Sequence, residues 1–231
     1  MNKVCVIIPV LNEEENIVKI FNNIKLIKKK LDILYIDDNS TDKTRNEIKK
    51  LKKKNKNIFF MFRNSKKGIG SAHKDGIKWC YKKKYNKILT MDCDGTHNPK
   101  YIPKLLKESE LCDLVITTRF KNKNSLKDWP LRRKFLTTLR LIITKIILNI
   151  NYDSSGAFRC FCRNKILLKD IMLINSNNYD FFFESIYRFD KKKYYIKEIP
   201  IQLPFRKLGK SKMTIYHIMQ SLFTLIKIKF I

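Results

Sequence analysis

Short runs of β-branched and aliphatic residues alternate along the chain with longer stretches in which apolar positions recur every three or four residues. Val4 to Ile8, Ile33 to Ile36, Ile58 to Phe62, Lys87 to Met91 and Leu114 to Thr118 have the length and composition of strands. Between them Glu14 to Lys30, Asp42 to Lys54, about Ile69 to Lys83 and Pro99 to Glu110 carry helical spacing. Strand and helix in strict turn predict βαβ units with right-handed crossovers, hence an α/β fold with a mainly parallel central sheet flanked by helices. From Phe120 onward the pattern is more helical, and it ends in a strand-like Tyr194 to Leu203. No internal repeat and no linker rich in Ser, Gly or Pro divides the 231 residues, so one large domain is expected.

Two segments are richer in apolar residues. Leu136 to Ile150 carries Arg140 and Lys145. Met213 to Ile231 has polar residues at 214, 217, 220, 221, 224 and 227, which leaves Ile215, Ile218, Met219, Leu222, Leu225 and Ile226 on the other face of a helix. Such a helix packs on a core or lies in a lipid interface, and its place beside Lys227 and Lys229 keeps the interfacial option open. The chain is therefore divided into a domain over 1–212 and an amphipathic helix over 213–231, a candidate for a membrane interface. No stretch reaches 18 uninterrupted apolar residues, so no spanning helix is expected. The first apolar run is too short for a signal-peptide h-region and runs straight into Glu13, Glu14 and Glu15, which predicts no signal peptide.

Composition adds a core and a field. With 44% hydrophobic and 12% aromatic residues there is enough apolar surface to fold, and six Gly with six Pro exclude collagen-like or low-complexity character. The formal charge of +29 rests on 40 Lys and only 10 Arg, beside 32 Ile and 20 Asn, residue types that codons rich in A and T favour. The charge thus divides between solvated Lys and an anionic partner, either a membrane surface or a phosphorylated substrate. A basic nucleic-acid-binding protein is the rival from another class. Against it, no RNA or DNA motif is present, aromatics do not interleave with a basic stripe, and acids cluster where a groove would be. The six Cys have no C-x-x-C spacing and read as reduced, buried thiols, with Cys160 and Cys162 as packing residues.

In open α/β sheets ligands sit beyond the carboxyl ends of the strands. Those positions are acidic here: Asn12-Glu13 after the first strand, Asp37-Asp38-Asn39-Ser40-Thr41-Asp42 after the second, and Asp92-Cys93-Asp94 after the fourth. Carboxylates gathered at one edge repel one another unless a cation or hydrogen-bond donors are present. Asp92 and Asp94 are two apart on extended backbone and point to one side, where they can hold a hard divalent cation such as Mg²⁺ or Mn²⁺. The same residue types also cap helices, as Ser40, Thr41 and Asp42 do for the helix that follows, or Asn12 with Glu15. Gly68 and Gly70 read as the turn before a helix, and His97 as part of a surface turn.

In order along nearly the whole chain, these motifs resemble family 2 glycosyltransferases of the Rossmann-like GT-A fold. IIPVLNEEENI, YIDDNSTDKT and MDCDGTHNP are similar to the family's first turn, nucleotide-binding acids and D-x-D loop. TTRF, DWPLRRKF, DSSGAFRCF, FFFESI and EIPIQLPFRKLGKSKM resemble dolichyl-phosphate mannose synthases and related polyprenyl-phosphate glycosyltransferases. The absence of Q-x-x-R-W sets the chain apart from processive polysaccharide synthases.

The resemblance implies an inverting, metal-dependent hexosyltransferase, with GDP-mannose as donor, dolichyl or polyprenyl phosphate as acceptor, and a peripheral place on the cytoplasmic face of a membrane. A UDP-sugar donor, or a hydroxyl acceptor on a glycan, is the alternative within the family. By the same resemblance Pro9, Leu11, Glu13, Ile36 and Asp38 line the nucleotide pocket, and Asp92 and Asp94 meet metal and diphosphate, with Cys93 between them contributing backbone. Arg119, Arg206 and Lys212 hold phosphate, and Glu184 lies near the sugar. Two positions depart from the pattern. Leu11 replaces a common aromatic, and Gly95-Thr96-His97 replaces Leu-Gln-His, so that Thr96 either serves as a weaker third protein contact of the metal or leaves that place to water. The sequence names no helper subunit.

Overall fold

A computed structural model describes residues 3–204, 212 and 214–230. Seven strands form one sheet in the order β3-β2-β1-β4-β6-β5-β7. They are β1 (Val4–Val10), β2 (Asp32–Asp37), β3 (Ile58–Phe62), β4 (Lys87–Thr90), β5 (Leu114–Thr118), β6 (Arg159–Cys162) and β7 (Ile196–Pro200). The helices are α1 (Glu14–Lys25), α2 (Thr44–Lys54), α3 (Ile69–Lys82), α4 (Ile102–Glu108), α5 (Leu131–Leu148), α6 (Leu168–Met172), α7 (Phe181–Lys191) and α8 (Ile215–Lys229).

The expected parallel core is present, since β1 pairs in parallel with β2 and β4, β2 with β3, and β5 with β7. The exception is β6, which lies between β4 and β5 and runs antiparallel to both. Period-two alternation divides β1 between two apolar layers. Val4, Val6, Ile8 and Val10 face Ile17, Ile20, Phe21 and Ile24 of α1, while Cys5 and Ile7 face Ala72, Ile77 and Cys80 of α3. Each fully buried Ile or Phe contributes about 2 kcal/mol of transfer free energy. All six cysteines are buried thiols in no disulfide, Cys160 and Cys162 among them in β6.

Some boundaries moved. The first helix stops at Lys25 rather than Lys30, because the chain must turn before Leu31 enters the core and β2 begins. The Pro99 segment opens as one turn of 3-10 helix, with Asn98 Oδ1 accepting from Lys100 N, before α4 takes over. Asn12 does not pair with Glu15; it adopts a left-handed φ of 51° and turns its side chain to the neighbouring loop.

The two apolar segments are α5 and α8, which pack on each other. No helix among the described residues is long and apolar enough to cross a membrane. On α5, Leu131, Phe135, Leu136 and Ile146 are exposed, and on α8 so are Ile215, Tyr216, Met219, Phe223 and Ile226. Leu225 and Ile228 of α8 are buried in the core.

Candidate functional site

β1, β2 and β4 are neighbours and run the same way, so the loops after their carboxyl ends meet. The first two are joined by hydrogen bonds. Asn12 N donates to Ser40 Oγ (2.9 Å), Glu13 N to Thr44 Oγ1 (2.8 Å) and Lys43 N to Glu14 Oε2 (2.7 Å), while Asn12 Oδ1 accepts from Thr41 N (2.8 Å). Asp42 accepts from Thr44 N at 3.0 Å and from Glu14 N at 3.3 Å, while the N-cap of α2 is Lys43 rather than Ser40, Thr41 or Asp42. Burial would raise the pKa of Asp42, but the Thr44 hydroxyl and these N–H bonds outweigh that and hold its carboxyl below the ordinary value.

The acids at this edge are met by donors. Asp37, fully buried, accepts from Arg45 Nε and Ser40 N. Asp38 accepts from Lys67 N (2.8 Å) and Gly68 N (2.9 Å), and Arg63 lies 3.3 Å from its Oδ1. Asp38 thereby ties the Lys67-Gly68 turn to the end of β2. Glu13 accepts from Asn16 Nδ2 at 2.7 Å and faces Lys212, whose Nζ is 3.7 Å from Oε1 and donates to Asn12 O at 3.1 Å. Pro9, near the end of β1, and Leu11, just after it, are half-buried. Ile36 corrects the expectation: with 0% exposure it faces α3, where a Cβ on Gly76 would come within 3.2 Å of its Cδ1, so its side chain belongs to the core.

The D-x-D loop is built from oxygen donors. Asp94 Oδ1 accepts from Thr96 N (3.0 Å) and Thr96 Oγ1 (2.6 Å), which fixes the carboxylate. Cys93 is buried between the two acids. Among the described residues no group of three or more His, Cys, Asp or Glu is placed to hold a metal ion. The protein's own set is two carboxylates and a hydroxyl, all hard oxygens, which fits a cation of the Mg²⁺ type that keeps positions for other oxygens. His97 is not a surface turn: it is buried, stacks on Phe158 at 5.3 Å, and its Nδ1 accepts from Asp92 N at 2.9 Å. Burial pushes its pKa down to about 4, so the ring is neutral near pH 7 and carries its proton on Nε2.

Basic residues close the site. Arg119 follows β5, and both its backbone N and its Nε donate to Asp153 Oδ2, each at 3.1 Å. Arg133, in the first turn of α5, lies over the Trp129 ring at 3.9 Å and feels both Arg119 and Asp94. Burial, chiefly, with Arg119 beside it, lowers its pKa. Glu184 is engaged inside the protein: it accepts from Ser176 N (2.9 Å), Ser176 Oγ, Asn175 N (3.1 Å) and Arg188 Nε (2.6 Å). It braces the loop before α7 rather than presenting an open carboxylate. Arg206 lies outside the described residues. Sequence reasoning left Asp153 unassigned, although DSSG contains it, and grouped Arg133 with Arg132 and Lys134 as basic residues for a membrane surface rather than as a neighbour of the D-x-D loop. Their spacing to Arg119 has no local signal.

The profile described as Glycosyl transferase family 2 matches residues 5–172. An undecaprenyl-phosphate mannosyltransferase of Micrococcus luteus is 29% identical over 213 residues, 92% of this chain and 88% of that protein. A polyprenol monophosphomannose synthase of Mycolicibacterium smegmatis is 29% identical over 221 residues, 94% of this chain and 83% of that protein. The crystal structure of glucosyl-3-phosphoglycerate synthase from Mycobacterium tuberculosis, in complex with Mn²⁺, uridine diphosphate and phosphoglyceric acid, has a TM-score of 0.67 at 17% identity, covering 99% of this chain and 78% of that one. Another crystal of that synthase holds Mg²⁺ and uridine diphosphate. At such identity the likeness bears on the fold.

Proposed function

The chain belongs to glycosyl transferase family 2 and has the GT-A fold, and on that premise we propose that it moves one hexose from a nucleotide diphosphate sugar to a polyprenyl phosphate. Mannose from GDP-mannose is the favoured donor, in keeping with the two mannosyl-transferring relatives. The observation that carries the reading is the D-x-D loop at the edge where β1, β2 and β4 end, with Asp94 fixed by Thr96 and with Arg119, aimed by Asp153, and Arg133 within its electrostatic reach. Two guanidinium groups beside a D-x-D loop suit a reaction in which one phosphate attacks and another leaves.

The acceptor's phosphate oxygen is already an anion near pH 7, so no strong general base is required. The leaving diphosphate needs charge neutralisation. Asp92, Asp94 and the Thr96 hydroxyl would hold Mg²⁺ or Mn²⁺, which supplies that neutralisation as a Lewis acid. Arg119, held by Asp153, is a preorganised cation for the same charge, and one such contact is typically worth on the order of 3 kcal/mol. Lys212 beside Glu13, together with Arg206, serves the donor's phosphates. In-line displacement inverts the anomeric centre and gives a β-linked product from an α-linked donor. A UDP-sugar donor is the second reading, favoured by Thr96 standing where the mannose synthases have Gln.

The acceptor's tail stays in a bilayer, and the exposed apolar faces of α5 and α8 with Arg132, Lys134, Lys227 and Lys229 form the peripheral contact with its cytoplasmic face. Incubation with GDP-mannose, UDP-glucose and a short polyprenyl phosphate tests the whole reading. A mannosyl lipid phosphate with a β-anomeric proton signal is expected; sugar transfer to hydroxyl acceptors alone would overturn it.

A further inference from the structure

Helix α8 turns His217, Gln220 and Thr224 towards the protein, on the side that buries Leu225 and Ile228. Gln220 Oε1 accepts from Asn178 Nδ2 at 2.9 Å, Thr224 Oγ1 donates to Asp180 Oδ2 at 2.9 Å, and the His217 ring meets Tyr179 edge-on at 5.3 Å. The residues touched are consecutive, in the loop that Glu184 braces through Asn175 and Ser176.

The same loop carries the turn that Asp38 holds. Asn177 O accepts from Ser71 N at 3.0 Å. Gly68 has a φ of +92°, and a Cβ there would lie 2.3 Å from Asn178 Oδ1 and 2.4 Å from Asn177 O. A Cβ on Gly70 would lie 2.5 Å from Phe181 Cβ and 2.7 Å from Asn178 O. Only glycine permits this approach, so the 177–181 backbone and the 68–70 turn sit as one body. Gly68 N and Lys67 N in turn donate to Asp38. A continuous path of contacts therefore runs from Gln220 and Thr224 through Asn178 and Asp180 to Gly68, Gly70 and Asp38.

We propose that Asn178 and Asp180 are positioning residues through which α8 sets the Lys67–Gly70 turn and, with it, the Asp38 side of the donor pocket. The inference rests on the reading of that edge as the donor side, and it gives α8 a part in donor binding separate from any lipid contact. Coupling of this kind needs packed elements with hydrogen bonds in register, which the path supplies.

The test compares Gln220→Ala/Thr224→Val with Leu225→Ala, a core change on the same helix that leaves both hydrogen bonds in place. Hydrogen exchange of the 63–72 peptide reads the turn directly, without any ligand. In the double variant the Lys67 and Gly68 amides should exchange at least about tenfold faster, and donor KM should rise several-fold with kcat within about twofold. Thr224→Ser alone, which keeps the hydroxyl, should behave as wild type, and Leu225→Ala should leave those amides protected. Unchanged exchange in the double variant, or equal acceleration in Leu225→Ala, overturns the proposal. Faster exchange in the double variant alone, in a protein that uses no nucleotide sugar, would uphold the relay and remove the donor reading.

Discussion

Asp153 holds Arg119 twice, with one carboxylate oxygen accepting from both the backbone N–H and Nε–H of a residue 34 positions away. A charge-assisted pair with one partner buried orients the guanidinium before any anion arrives. Asp153→Asn keeps the shape and removes the charge. It should lower kcat by at least about tenfold, in line with a misdirected electrostatic contact, while the melting temperature drops only modestly. Wild-type kinetics in that variant would show that Arg119 does not depend on Asp153.

The same carboxylate bears on acid stability. Burial would raise its pKa, but Arg119 and the N–H and O–H donors outweigh that and hold it below the usual carboxylate range. Glu184 is likewise buried, and its bonds to Ser176 and Arg188 bring it below its ordinary value. A depressed folded-state pKa gives stability that is full above the unfolded value, about 4, and is lost as pH falls through the folded one. Melting temperature should therefore hold from pH 7 to about 5 and decline below 4, with a shallower decline in Glu184→Gln. An identical acid limb in that variant would count against Glu184's part.

Chelation should abolish turnover, and Mg²⁺ or Mn²⁺ should restore it. Asp94→Asn loses one charge from a carboxylate that Thr96 aims, and should cost about a hundredfold in kcat. Full activity in excess chelator would sink the metal assignment.

Binding to anionic vesicles should weaken with salt, at about 1 kcal/mol per basic residue brought to the surface. Phe223→Ser/Ile226→Ser, at two exposed positions of α8, should reduce vesicle binding without lowering the melting temperature. Removing the whole of α8 is a different experiment, because it also deletes buried Leu225 and Ile228 and should destabilise the fold. Unaltered sedimentation with vesicles in the double variant would rule out this face.

Lys212 reaches Glu13 and the Asn12 carbonyl, and Arg206 belongs to the same R-x-x-G-x-S-K run. Lys212→Ala and Arg206→Ala should each raise the KM for the donor or the lipid phosphate by about tenfold, the value of one charge-assisted contact, with folding intact by circular dichroism. Unchanged kinetics in both would show that the run does not bind phosphate here.

Much of this was legible before folding. Periodicity gives the order of strands and helices because it records which side chains must leave water, and the acids at 37–38 and 92–94 show themselves because nothing apolar belongs there. Direction, partnership and facing were decided only by the tertiary structure. The alternation of β6 is the same whichever way the strand runs, so its antiparallel place between β4 and β5 has no trace in the pattern. His97 is buried because Phe158, far away in sequence, lies across its ring, and Arg119 is aimed because Asp153 comes to it. Spacing divides α8 into two faces but does not say which is inside. The side that carries Gln220 and Thr224 is turned inward together with Leu225 and Ile228, because Asn178 and Asp180 satisfy the two polar groups, and the choice rests on partners that only the folded chain brings within hydrogen-bonding distance.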